Sequence, residues 1–277
     1  MLKLVATDLD GTLLHSDGTV TERTRRALTA VEGQGVTVVF VTGRPIRWME
    51  DLWEHVGGHG LAICSNGGIV YDVHARAVSR ARTIPVDVGL EVARTLRKAI
   101  PGTTFAIEKT DGFAKEPEFM PRQPPPEDLR IGSLPEILDA ETVKLLARHE
   151  SMQPEEFWAE AESHVGDLVT TTWSSTGALV EISAAGVTKA STLELVCAEQ
   201  GIDAAQVVAF GDMPNDLPML QWAGTSYAMT NAHPSVRELA ANLAPSNEDD
   251  GVAATLEELF DLRPGSSRTA RDDAGRR

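Results

Sequence analysis

Short apolar runs at 4–7, 36–41, 61–64, 207–210 and 226–229 alternate along the chain with helical patterns such as 24–32 and 191–199. A strand that is apolar at every position must be covered on both faces, and helices between such strands supply that cover for a parallel sheet. The expected fold class is therefore α/β, with a doubly wound, Rossmann-like parallel-sheet core. The alternation stops between about 86 and 183. There the pattern predicts a helix over 88–100, a strand over 103–108 and a Pro-rich loop at 121–126. A strand over 142–147, a helix over 154–164 and a hairpin pairing 168–173 with 178–182 follow. Strands and helices without strict alternation predict an inserted α+β domain. The expected organisation is a core from 1–85 and 184–262, a small inserted domain at 86–183, and a polar, disordered tail at 263–277.

At 277 residues the chain is long enough for one large or two medium domains with a real core. A net charge of −16 argues against nucleic acid or an anionic membrane as partner, because both call for basic surface. No apolar run approaches the ~20 residues of a membrane span. The amino-terminal stretch is a strand followed by acids, unlike a basic region leading into an apolar signal core. Cys64 and Cys197 lie far apart without metal-type spacing and read as reduced, buried thiols of a cytoplasmic protein.

Four segments converge on one expected place. "DLDGTLL" (8–14) puts Asp8 and Asp10 at the end of the first strand, and "VTGR" (41–44) puts Thr42, Gly43 and Arg44 at the end of the second. Lys189 opens the helix after the insert, and "GDMPND" (211–216) carries Asp212, Asn215 and Asp216. Open α/β sheets bind ligands outside the carboxyl ends of their strands. Singly these segments are weak: a D-x-D after a strand also suits an Asx turn, and a lysine at a helix start is usually solvated. Together they make a chemical set. Asp8, Asp10 and Asp212 form a hard-oxygen cluster suited to Mg²⁺, whose charge would offset their repulsion. Thr42, Lys189 and Asn215 would hold a phosphoryl group. One carboxylate would attack phosphorus, and the other would protonate the leaving oxygen and then activate water.

These motifs, with "SNGG" at 65–68 and the long insert, resemble the haloacid dehalogenase superfamily in its Cof-type, C2-capped branch. The likeness extends to about residue 261. It implies a Mg²⁺-dependent phosphatase acting on a small phosphate monoester through an aspartyl-phosphate. Asp8 would be the nucleophile, and Asp10 would give its side chain as acid/base and its carbonyl to the metal, with Asp212 as a further ligand. The likeness also implies phosphate contacts from the Leu9 backbone N–H, Thr42, Gly43, Lys189 and Asn215, with Asp216 in support. Arg44 would anchor substrate or else pair with an acid. Asn66 would touch phosphate or sugar, or else only shape a tight turn. Trp173 and Glu181 on the predicted hairpin would face the cleft, or else serve packing and solvation. The insert's 18 acidic against 9 basic residues favour a neutral leaving group such as a sugar. Two rival functions are a sugar phosphomutase, which would pass the phosphoryl group to a second hydroxyl, and a non-catalytic phospho-receiver, which needs neither Asp10 nor a cap.

Overall fold

The computed structural model describes residues 1–262 except 51, 54–59, 122, 125 and 174–176. The expected tail at 263–277 lies outside the described residues. In the core the strands are β1 (Leu4–Thr7), β2 (Thr37–Val41), β3 (Leu61–Cys64), β4 (Ile69–Asp72) and β5 (Ala77–Ala81). The insert contributes β6 (Thr104–Lys109), β7 (Gly112–Lys115), β8 (Arg130–Ile131), β9 (Thr142–Arg148), β10 (Val169–Thr172) and β11 (Leu179–Ala184). The chain then returns to the core with β12 (Val207–Gly211), β13 (Thr225–Met229) and β14 (Asn242–Ala244).

The core sheet runs β14-β13-β12-β1-β2-β3-β4-β5. Strands from β14 to β3 pair in parallel, whereas β4 and β5 close one edge antiparallel. From β1 the chain steps outward to β2 on one side, and after the insert it resumes on the other side at β12. That reversal is a topological switch point, and it lies at β1. Right-handed crossovers then send the helices after β1 and after β12 to opposite faces. Helix Glu22–Gly33 packs with Gly251–Leu259, and Lys189–Glu199 packs with Leu217–Trp222. The strands between are buried at nearly every position, as their apolar runs require.

The insert forms its own sheet, ordered β10-β11-β9-β6-β7-β8. One face, with Phe105, Ile107, Leu145, Ala147, Val180 and Ile182, buries against the helices Val86–Ala99 and Pro154–Val165. Ile84 joins that cluster, and β11 runs to Ala184, so the unit reaches slightly beyond 86–183 on each side. The alternate residues point toward the carboxyl end of the core sheet, where a cleft of ≈ 600 Å³ opens. The expected hairpin, strands and helices of the insert form within about two residues of their predicted bounds. Strands β4, β5, β7, β8 and β14 had no counterpart in the sequence reading. Several are short or edge segments with few buried side chains, so they carry no apolar pattern.

Candidate active site

Register explains why distant motifs meet. Thr7 pairs with both Phe40 and Phe210, so β1, β2 and β12 end within one residue of one another. Residues just past those ends are Asp8, Thr42 and Asp212. The loop after β1 turns sharply, with the Leu9 carbonyl accepting the amides of Thr12, Leu13 and Leu14. Gly11 sits at φ +74, and a Cβ there would fall 2.3 Å from Asp212 Oδ2. Glycine thus lets this loop lie directly against Asp212 of the 211–216 segment.

Lys189 is fixed by its helix. Thr188 caps the helix N-terminus, its hydroxyl accepting the Ser191 amide at 3.0 Å, and Lys189 follows as the first helical residue. The "SNGG" segment packs against this start: Gly67, at φ +102, leaves no room for a Cβ, which would land 2.2 Å from the Thr188 carbonyl. Buried Lys189 Nζ donates to Asp8 Oδ1 and Asp216 Oδ1, each at 2.6 Å. The second Asp216 oxygen accepts the amides of Asp212 and Met213, both at 3.0 Å. Asp216 therefore spans the lysine and the backbone of its own loop. Thr12 donates to Asp212 Oδ1 at 3.0 Å.

The electrostatics follow from burial. Asp8, Asp212 and Asp216 bring carboxylate oxygens within 4.8 Å of one another, and among the described residues they are the one such acidic group. Burial raises the Asp8 carboxyl well above its ordinary range, against the pull of Lys189. Burial, then Asp216, pushes Asp212 up to about 7. Burial works against the Lys189 ammonium, but Asp216 and Asp8 outweigh it and hold its pKa above the usual value. One ammonium thus faces three carboxylates. That excess of hard oxygen and negative charge fits a divalent cation such as Mg²⁺. Asn215 Oδ1, a buried oxygen on the same cleft without a hydrogen-bond partner among the described residues, adds to the donor set.

Not every expected residue falls where the sequence suggested. The Asp10 carboxylate is outside the acidic cluster, whose third member is Asp216. It is solvent-exposed, and Arg44 clamps it at 2.7 Å through Nε and 2.5 Å through the second guanidinium nitrogen. Arg44 does pair with an acid, and the acid is Asp10 itself. The hydrogen bond from Arg44 to Asp10 leads in keeping its guanidinium pKa raised. Thr42 is buried, and its hydroxyl accepts the Arg44 amide at 3.0 Å. The Leu9 side chain is fully buried in the core. Asn66 lies, with positive φ, in the short 3₁₀ turn Ser65–Gly67 that connects the antiparallel strands β3 and β4, so the tight-turn reading holds. It accepts from Asn215 at 3.1 Å and donates to Thr172 of β10 at 3.2 Å, which links core to insert.

Glu181 lines the cleft, where Lys144 donates to it at 2.5 Å. Trp173 is not among the lining residues. It packs edge-on against His233, ring centroids 5.6 Å apart, so the packing reading is the one observed. Sequence reasoning missed much of the wall: Arg47, Trp48, Glu108, Phe113, Phe119, Lys144, Leu146, Arg148 and Leu179 are among the residues that line the same cleft. A signal was present in 142–148, where Val143, Leu145 and Ala147 alternate with Lys144, Leu146 and Arg148. In a strand that spacing sends one set to each face.

A family model for haloacid dehalogenase-like hydrolases matches residues 5–256. A 5-amino-6-(5-phospho-D-ribitylamino)uracil phosphatase of Bacillus subtilis is 28% identical over 274 residues, covering 94% of this chain and 98% of its own. A pyridoxal phosphate phosphatase of Escherichia coli is 28% identical over 267 residues, covering 91% and 96%. The solved structure of a haloacid dehalogenase-like hydrolase from B. subtilis superposes with a TM-score of 0.80 at 22% identity, covering 93% and 100%. The motif loops, the two-sheet architecture and these matches agree, and the chain belongs to the haloacid dehalogenase-like hydrolase family.

Proposed function

We propose that this hydrolase is a Mg²⁺-dependent phosphatase that cleaves small phosphate monoesters through an aspartyl-phosphate on Asp8. The observation that carries the reading is the buried Lys189 held between Asp8 and Asp216 at the end of β1, beside a cleft lined by Asp8 and Asp10. Lys189 holds the Asp8 oxygen in place and supplies positive charge where phosphoryl oxygens would gather. Asp8 attacks phosphorus and the bond to the leaving oxygen breaks. Asp10 gives that oxygen a proton. Water then attacks the aspartyl-phosphate, Asp10 takes its proton, phosphate departs and the Asp8 carboxylate is restored. For Asp10 to serve, its carboxylate must leave the Arg44 clamp, and Arg44 then becomes available to the substrate. Asp8, Asp212 and the Asp10 carbonyl would hold the Mg²⁺, which when bound neutralises charge on the carboxylates and the phosphoryl group.

The 86–183 insert acts in this reading as a cap over the leaving group. Its acidic excess does not carry onto the cleft wall. There Lys144 and Arg148 accompany Glu108 and Glu181, and Phe113, Phe119, Leu146 and Leu179 form an apolar side. Two relatives are named for substrates that contain a heterocyclic ring. An apolar wall suits such a ring as well as the carbon face of a sugar, so sugar phosphates and ring-bearing monoesters stand together as candidate substrates. The buried free thiols Cys64 and Cys197 suit a reducing, cytoplasmic setting.

The test is a panel of phosphate monoesters, including sugar phosphates, pyridoxal phosphate and p-nitrophenyl phosphate, assayed for phosphate release with Mg²⁺. Phosphate release on some member and none from Asp8→Asn is the expected result. Transfer to a sugar hydroxyl in place of phosphate release would indicate the phosphomutase.

A further inference from the structure

The cap touches the core segment 42–48 from two neighbouring residues of one sheet face. Glu108 on β6 and Lys144 on β9 are direct cross-strand partners. Lys144, its side chain 1% exposed, donates to the Gly43 carbonyl at 2.7 Å and is paired with Glu181. Glu108 forms an ion pair with Arg47, whose guanidinium lies 4.8 Å from the ring centre of Trp48 and 4.7 Å from that of Phe113. Two points of the segment, four residues apart, are thus gripped from the cap. Between them lies Arg44, which clamps Asp10. Beside Gly43 stands Asn66, whose Oδ1 accepts from Asn215 and would be only 3.0 Å from a Cβ on residue 43.

Burying an ammonium and its carboxylate is costly, and well-packed apolar residues in their place often stabilise as much or more. The Lys144–Glu181 pair is therefore poorly explained by stability. A charge-assisted bond to a backbone carbonyl does something apolar side chains cannot: it fixes the position of that carbonyl. We propose that Lys144 and Glu108 are positioning residues that lock segment 43–47 to the cap, so that docking of the cap sets the geometry of Thr42, Gly43 and Arg44. Neither residue needs to touch the phosphate. The inference deepens the phosphatase reading, on which only its activity arm rests.

Amide hydrogen exchange on the full chain tests the lock without reference to activity. In Lys144→Met/Glu181→Gln, which leaves no buried charge stranded, the amides of Arg44 and Trp48 should exchange about tenfold faster, while those of β1 and β2 keep wild-type rates. The Arg44 amide is a suitable reporter because its partner is the Thr42 hydroxyl. Product inhibition by inorganic phosphate should weaken, and kcat on p-nitrophenyl phosphate should fall about tenfold, as expected for misplaced binding groups. Lys144→Arg, which keeps a donor, should recover part of both. Glu108→Gln serves as a second variant if the double variant does not fold, with the amide of Trp48 as its reporter. Exchange at 44–48 within twofold of wild type in a folded variant overturns the proposal. If wild type hydrolyses no ester, the phosphatase reading fails, and the exchange result still decides the lock.

Discussion

The Asp8 carboxylate and the Lys189 ammonium, 181 positions apart in the chain, meet at 2.6 Å in the protein interior. Their encounter is made by the parallel register of β1 with β12 and by the Thr188 cap that starts the lysine's helix at the right point. Asp216 completes the bridge, accepting from the same Nζ at 2.6 Å.

Asp8→Asn should abolish steady-state hydrolysis, because an amide does not attack phosphorus, and the fold should persist. Asp10→Asn should lower kcat by roughly 10²–10⁴ through loss of acid/base transfer. Steady-state assays with phosphate detection check both. Sustained turnover by Asp8→Asn would falsify the covalent route.

Lys189→Met should cost about 3–5 kcal/mol of stability, because it leaves Asp8 and Asp216 buried without their shared cation. Asp216→Asn should cost less, since its amide still occupies the same place and one oxygen can accept the loop amides. Urea unfolding of both variants gives the comparison, and equal midpoints would show that the bridge carries no special weight.

Chelator treatment should inactivate the enzyme and Mg²⁺ should restore it, with excess Ca²⁺ inhibiting because it takes a looser coordination shell. Asp212→Ala should raise the Mg²⁺ concentration needed for half-maximal activity. Undiminished activity after exhaustive chelation would remove the metal from the reading.

Burial pushes the Glu108 carboxyl up from 4.5 to about 7, despite the opposing pull of Arg47. The folded chain thus keeps a proton that the unfolded chain releases. The contribution of Glu108 to stability is greatest below pH 4.5, declines as pH rises to 7, and is flat above that. Its size is on the order of 3 kcal/mol. Glu108→Gln should lack this declining component. The difference between the two stability–pH curves over that window measures it.

Phe113→Ala and Phe119→Ala should change the ranking of kcat/KM among sugar phosphates and ring-bearing monoesters, because both rings belong to the apolar side of the cleft. A lost apolar contact of this kind is worth roughly 1–3 kcal/mol between competing substrates. Trp173→Ala should leave the ranking intact, since that ring packs on His233. A reranking by Trp173→Ala alone would place specificity at the hairpin and not at the aromatic wall.

The fold of the core and the identity of the motif loops were legible in the sequence because both depend on local pattern. Apolar strands such as 207–210 announce burial on two faces, and Asp8, Thr42, Lys189 and Asp212 stand at element ends that the pattern itself marks. What a side chain at such an end touches is a different matter, settled by packing across the sheet. The acidic cluster took Asp216 and not the Asp10 carboxylate, because Asp10 points outward to Arg44 while Asp216 is drawn under Lys189 by its own loop. The cleft wall was hidden for the same reason. Lys144, Glu108 and Glu181 look like solvated strand residues one at a time, and only the antiparallel pairing of β6, β9 and β11 gathers them onto one buried face. Local sequence determines which elements form and where they end. Tertiary register decides which charges meet, because a Coulomb or hydrogen-bond contact depends on distances of a few ångströms that no one-dimensional spacing contains.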